Sequence, residues 1–261
     1  MKVRRLGWAG IEIQADGESA VIDLLLNTSR LRALRSDREP FPPPERLGSA
    51  RAAMVTHLHA DHADPAAIHE ALAPDGVVLR PEPVHGTEQE DIWTARAEKE
   101  FAESGLKTQV VREWQQVESG PFHIVAVPAV DGLGDPQRNW VISAGNKRIF
   151  HGGDTMFHGF WWRIAHRYGP FDAALLPIDG VRVNFEPFQP PSPFPAALDP
   201  QQAAVAAHIL KARKIIPIHF GSCHKPPVFV EVDRPVDGLM KSAAELGLEA
   251  QILVPGDSIA L

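Results

Sequence analysis

Residues 56–62 read Thr56-His57-Leu58-His59-Ala60-Asp61-His62, three histidines and an aspartate directly behind the apolar run Ala52-Ala53-Met54-Val55. The run reads as the end of a buried strand. Neutral imidazole and carboxylate are the ligands a zinc-class divalent ion prefers, and such a density of them has no use in an apolar core. At this chain's own His and Asp frequencies, a chance H-x-H-x-D-H is expected on the order of once in several hundred such sequences. The stretch is therefore read as a metal site. Behind it, Asp64 suits an N-cap, Pro65 suits the first helical position and residues 66–72 continue as helix, which places the ligands on a strand-to-helix turn.

Upstream of that turn, residues 3–6, 11–14 and 20–23 alternate as strands do, with Ala15-Asp16-Gly17-Glu18 as a turn, and predict an antiparallel meander. Residues 38–46 hold four prolines and are expected to form an ordered surface loop. Downstream, the pattern predicts a short strand at 77–79 and a helix over 87–105, with acidic residues at its start and Gly105 as its stop. Strands are expected at 109–112, 123–129, 140–143, 148–150 and 171–177, with a hairpin turn at 144–147. A second proline-rich loop (186–200) precedes a helix over 200–212 capped by Asp199, a strand at 214–218, a helix over 236–246 and a final strand at 250–254. Two mixed sheets faced together with helices outside account for this order better than a doubly wound parallel sheet. No repeat is evident at residue level.

The 261 residues are 44% hydrophobic, enough to bury a substantial core, and residues 1–261 are expected to form one compact domain. A net charge of −7 without a long basic run argues against nucleic acid as a partner. The lone cysteine, Cys223, can form no intramolecular disulfide, which suits a reducing compartment and leaves a thiol ligand or nucleophile open. Residues 1–5 are basic but lead into no apolar signal core, and nowhere do eighteen apolar residues run together, so no membrane span is expected and a soluble, cytoplasmic protein is. The 24 prolines cluster in loops and suggest rigid rims around a site.

One turn would leave a divalent ion exposed, so further ligands are expected at other strand ends. Three strands stop on one. Residues 148–150 run into His151-Gly152-Gly153-Asp154, where two glycines allow close backbone approach. Residues 215–218 run into His219, and residues 125–130 run into Asp131. Such gathering at the carboxyl ends of strands is common in layered α/β folds.

The set THLHADH, HGGDT and PIHFG resembles the metallo-β-lactamase superfamily along nearly the whole chain. Within it, Gly7-Trp8-Ala9-Gly10, Ile22-Asp23, Leu175-Leu176-Pro177-Ile178 and the late PIH resemble the branch that holds L-ascorbate-6-phosphate lactonases and N-acylphosphatidylethanolamine-hydrolysing phospholipases. The resemblance implies an α/β fold, an αββα sandwich of two mixed β-sheets, with two metal ions in a cleft at the sheet edges. It places His57 and His59 on the first ion, Asp61, His62 and His219 on the second, and Asp154 as a bridge. One departure is evident: Asp131 stands where the pattern supplies a histidine for the first ion. A carboxylate there tilts preference from zinc toward manganese or iron, or weakens that site. The other reading has Asp131 merely capping its turn. His123 lies eight residues earlier on the same strand, roughly 25 Å away at ~3.3 Å per residue, and is no substitute.

Around this set, Asp23 is expected to orient a ligand histidine, and His151 either to do the same or to be structural. Substrate contacts are expected from His158, Trp161, His224 and Lys225, the alternative being solvated loops. The aromatic runs at 157–162 and 185–194 suit an apolar pocket mouth, a core or a dimer contact, which leaves a homo-oligomer open. Arg163, Arg167 and Lys225 suit either a phosphate or a solvated face. Two divalent cations sharing a hydroxide would make a metal-dependent hydrolase of a small-molecule ester, lactone or phosphoester, with Asp61 and Asp154 as catalytic carboxylates. An iron-dependent oxidoreductase on the same fold and a non-catalytic module stapled by its metal are the competing classes.

Overall fold

The computed structural model describes residues 1–35 and 39–261; Arg38, the first residue of the expected loop 38–46, lies outside them. The chain opens with the expected meander, β1 (Lys2–Gly7), β2 (Gly10–Ala15) and β3 (Glu18–Ile22), paired antiparallel. Asp16 and Gly17 both take positive φ in the tight turn between β2 and β3, as a two-residue hairpin requires. A short 3-10 helix (Thr28–Leu31) follows, then β4 (Ala50–Met54), α1 (Pro65–Ala71), β5 (Leu72–Arg80), α2 (Ala95–Ser104) and β6 (Thr108–Val110). The second half runs β7 (Gln116–Ser119), β8 (Phe122–Pro128), β9 (Arg138–Ala144), β10 (Lys147–His151), α3 (Trp161–Tyr168), β11 (Ala173–Pro177), β12 (Arg182–Val183), α4 (Pro200–Ile209), β13 (Lys214–Ile218), β14 (Phe229–Val230), α5 (Pro235–Glu245), β15 (Glu249–Ala250) and β16 (Ser258–Ala260).

Two seven-stranded sheets result, in the orders β16-β1-β2-β3-β4-β5-β6 and β15-β13-β11-β10-β9-β8-β7. In each, one half is an antiparallel meander and the other is parallel. The two sheets thus share a layout although their residues show no repeat. Side chains alternate between two apolar layers along each central strand, because both faces are covered. On β8, Ile124 and Ala126 join the cluster between the sheets with Ile11, Ile13 and Trp140, whereas Val125 and Val127 face α3, α4 and α5. On β4, Met54 points inward and Ala53 packs with Ile68 of α1 and Phe101 of α2. This is the αββα sandwich expected from the element order.

Among the elements that differ from expectation, three have a legible cause. Helix α2 begins only at Ala95, not at 87, because residues 87–94 close local turns and Trp93 leaves the helical path to stack with Phe185 and Phe188 at 5.0 and 6.2 Å. Helix α3 carries its buried stripe at Trp161, Ile164 and Ala165, an i, i+3, i+4 spacing hidden inside an aromatic run. The expected last strand at 250–254 shrinks to β15, since Pro255 and Gly256 turn the chain back so that β16 pairs with β1.

Candidate metal centre

The ligand turn hangs between β4 and α1. Asp64 caps α1, its Oδ1 accepting from Ala67 N–H at 3.4 Å, and its Oδ2 also accepts from Leu26 and Asn27 N–H at 3.2 and 2.9 Å. Asp131 follows β8, Asp154 follows β10 and His219 follows β13, all ending at the edge where β4 ends. Single ligand atoms of His57, His59, Asp131 and Asp154 lie within 4.8 Å of one another, as do those of His57, Asp61 and His62, and those of His62, Asp154 and His219. Every metal-ligand candidate taken from the sequence is therefore in one cluster.

The close packing rests on small residues and on a hydroxyl. Gly153 takes φ +57°, and a Cβ there would stand 2.8 Å from Thr56 Oγ1. Thr56 donates its hydroxyl and its N–H to the two oxygens of Asp23, at 2.7 and 2.8 Å. Asp23 in turn meets His62 Nδ1 at 2.8 Å, the orienting role expected for it. The same device occurs twice more, at residues the sequence did not single out. Asp179, fully buried beyond β11, meets His219 Nδ1 at 3.0 Å, and Asp135 meets His59 Nε2 at 2.6 Å. Gln137 Nε2 donates to Asp154 Oδ1 at 2.9 Å, and Trp8 Nε1 donates to Asp61 Oδ2 at 2.9 Å while its ring lies 3.9 Å from that of His219. Asp179 is one residue beyond the quoted Leu175–Ile178 segment and Asp135 four beyond Asp131, and adjacency to those motifs was the available signal.

His57 Nδ1 is likewise held, 3.1 Å from Thr56 Oγ1, and Nε2 of His57, His62 and His219 is buried and has no hydrogen-bond partner among the described residues. Two of them face carboxylates without making a hydrogen bond: His62 Nε2 is 3.4 Å from Asp61 and 3.9 Å from Asp154, and His219 Nε2 is 3.7 Å from Asp61. Orphaned imidazole nitrogens converging on carboxylates fit divalent cations.

Charge in the metal-free cluster is frustrated. Burial pulls His59 and His219 down, but Asp131 and Asp135 carry the first to about 9, and Asp179 and Asp61 the second to about 9. Burial and the neighbouring cationic rings hold His57 well below its ordinary value. Burial raises Asp154 to about 6, while Asp61, despite burial, is held well below the carboxylate range by His62 and His219.

The other expected residues fall elsewhere. His151 is buried, its ring linking Ala9 C=O (2.9 Å) to Gly153 N–H (3.2 Å). Trp161 is fully buried in the layer behind the second sheet, where the apolar periodicity of α3 places it, and His158 stacks on it at 4.1 Å, so neither lines the cleft. His224 and Lys225 are exposed and do not line the cleft, although their backbone partners Leu34 and Phe229 do. Arg167 lies over the Trp114 ring at 4.1 Å, away from the cluster. Burial pushes the Cys223 thiol up, which disfavours a nucleophilic thiolate. The cleft itself, about 220 Å³, has His59, Asp61, Asp131, Asp154 and His219 as its floor and Leu31, Leu34, Trp93, Val181, Phe185 and Phe229 among its walls. The aromatic run at 185–194 thus contributes to the mouth and the run at 157–162 does not.

Facing mixed sheets, outer helices and a His/Asp cluster at the strand ends define a metallo-β-lactamase-type sandwich. A family model described as a beta-lactamase superfamily domain matches residues 20–220, and the chain belongs to that superfamily. It is 27% identical, over 100% of both chains, to UPF0173 metal-dependent hydrolases of Thermococcus kodakarensis and Thermococcus onnurineus. Among solved structures it is similar to the isothiocyanate hydrolase from Delia radicum gut bacteria (TM-score 0.68, 19% identity, 100% of this chain and 99% of that one). It is also similar to CmlA, a diiron β-hydroxylase from Streptomyces venezuelae (TM-score 0.75, 16% identity, 100% of this chain and 54% of that one). These two likenesses are of fold.

Proposed function

We propose that this metal-dependent hydrolase of the metallo-β-lactamase superfamily cleaves a small ester, lactone or phosphoester at two divalent cations, zinc before manganese or iron. His57, His59, Asp131 and Asp154 would hold one ion and Asp61, His62, Asp154 and His219 the other. The observation that carries this reading is the convergence of the buried, unpartnered Nε2 atoms of His62 and His219 on carboxylates borne by separate strands, beside a buried His57 ring whose Nδ1 lies 3.6 Å from Asp154. Divalent cations bound there would lower the pKa of a shared water to about 7 and polarise the oxygen under attack. Asp61 is the acid most open to the cleft, with 24% of its side chain exposed against 16% for Asp154 and 1% for Asp131. Fixed by Trp8 and open to the cleft, it is the group placed to take a proton from water and return it to the leaving oxygen. The apolar walls hold the substrate body and exclude bulk water.

The full-length relatives named as metal-dependent hydrolases support hydrolysis, and the Gly7–Gly10 and Leu175–Ile178 motifs support an ester, lactone or phosphoester as its object. Residues 1–261 are read as one domain, since β16 returns to pair with β1. A second reading, an iron-dependent oxidoreductase, is favoured by one observation, the carboxylate at 131 in a fold shared with a diiron hydroxylase. Metal analysis of protein purified without added metal, followed by a panel of esters, lactones and phosphodiesters, separates them. Zinc with turnover supports the hydrolase, and iron without turnover would overturn it.

A further inference from the structure

The cleft borders a guanidinium that the proposed chemistry leaves unused. Arg30, on the 3-10 helix, has only 4% of its side chain exposed, yet it lines the same cavity as His59 and Asp61. Its Nη2 donates to Glu100 Oε2 at 2.5 Å and lies 3.6 Å from Asp64. Nε and Nη1 are buried and have no partner among the described residues. The second oxygen of Glu100 accepts from Arg96 Nε at 2.8 Å, and Arg96 also lines this cavity. One carboxylate on α2 thus holds two guanidiniums together at the cleft wall, leaving most of the Arg30 fork unspent. Trp93 Nε1, another buried and unpartnered donor, belongs to the same wall. Buried donors without acceptors are rare, and a guanidinium N–H gives a carboxylate or phosphate a charge-assisted hydrogen bond.

We propose that Arg30, assisted by Arg96, binds a non-reacting anionic group of the substrate, so that the substrate class is a small, partly apolar acid whose hydrolysable bond lies over the metal cluster. The proposal rests on the hydrolytic reading for the word substrate, but the site itself is testable without turnover. A tether that merely fastens the 3-10 helix to α2 would need the Glu100 contact alone and would leave Nε and Nη1 without use.

The test is calorimetric binding of α,ω-dicarboxylates from succinate to adipate to the zinc-loaded protein, each compared with the monocarboxylate of equal carbon number. With Arg30 and the cluster lining one cavity, a diacid of matching length is expected to place one carboxylate on each. At one chain length at least, the dianion is expected to bind about tenfold or more tightly than its partner, the worth of one buried charge-assisted contact. Arg30→Gln brings that ratio to near one, and Arg96→Gln lowers it by a factor of about two to three. A wild-type ratio near one at every length, or an unchanged ratio in folded Arg30→Gln, overturns the assignment. If Arg30→Gln does not fold, Arg30→Lys replaces it, keeping the Glu100 pair but losing the fork, and a wild-type ratio in that variant overturns the assignment equally. An Arg30-dependent preference in a protein that hydrolyses nothing would sink the hydrolytic reading alone; turnover with no such preference would sink this one alone.

Discussion

At the scale of single residues, the cluster depends on carboxylates that touch histidines from behind as much as on those that face the orphaned imidazole nitrogens. Asp154→Ala is expected to abolish metal occupancy and turnover together, whereas His123→Ala leaves both intact, because His123 sits at the far end of β8 and pairs with Glu118. Metal analysis alongside an activity assay checks both. Asp179→Asn keeps the shape of the buried contact to His219 but removes its charge, and is expected to weaken metal binding by about 10–100-fold in competition with a chelator. The same residues set a pH dependence. In the metal-free protein His59 and His219 hold protons up to about pH 9, whereas a bound cation needs both imidazoles neutral. Metal uptake below that pH must therefore expel protons, so apparent affinity rises with pH through 9, and His62, raised against burial well above its ordinary value by Asp61 and Asp23, extends the rise. Calorimetry in two buffers of different ionisation enthalpy reads the proton release directly, and a pH-independent affinity between 6 and 9 would contradict the ligand set.

At the scale of elements, Asp64 is the joint. Its carboxylate caps α1, which carries the end of the ligand turn, and it also accepts from Leu26 and Asn27, which lead into the 3-10 helix bearing Arg30. Asp64→Ala is expected to cost about 2–3 kcal/mol in urea unfolding, more than an exposed cap, because three N–H groups lose a buried acceptor at once. The elements that were legible in advance are those with local causes. The Asp64-Pro65 and Asp199-Pro200 helix starts are written in their caps, and the latter closes a capping box with Gln202. The expected start of α2 at 87 is too early because acidic residues at 88–91 imitate a helix start. The competing cause, stacking of Trp93 on Phe185 nearly a hundred positions away, has no local trace.

At the scale of the whole molecule, the centre joins both sheets: β3 and β4 of the first supply Asp23 and the ligand turn, and β8, β10, β11 and β13 of the second supply Asp131, Asp154, Asp179 and His219. Bound ions should therefore fasten the two halves to each other. Zinc at about a hundredfold excess over its dissociation constant is expected to add roughly 2.7 kcal/mol of stability. Thermal unfolding with and without a chelator measures this, and the difference should vanish in Asp154→Ala. By itself, the sequence determined the layered class, the ligand turn and three of the strands that end on a ligand, because strand periodicity, caps and a dense run of imidazoles are local properties of the chain. Only the tertiary structure decided that Asp179, Asp135 and Gln137 belong to the centre, that Trp161 and His158 belong to the core, and that Arg30 borders the cleft. Polar residues in loops are common in any sequence, and what gives these their roles is which side chain from another strand or helix packs against them, a fact no local spacing records.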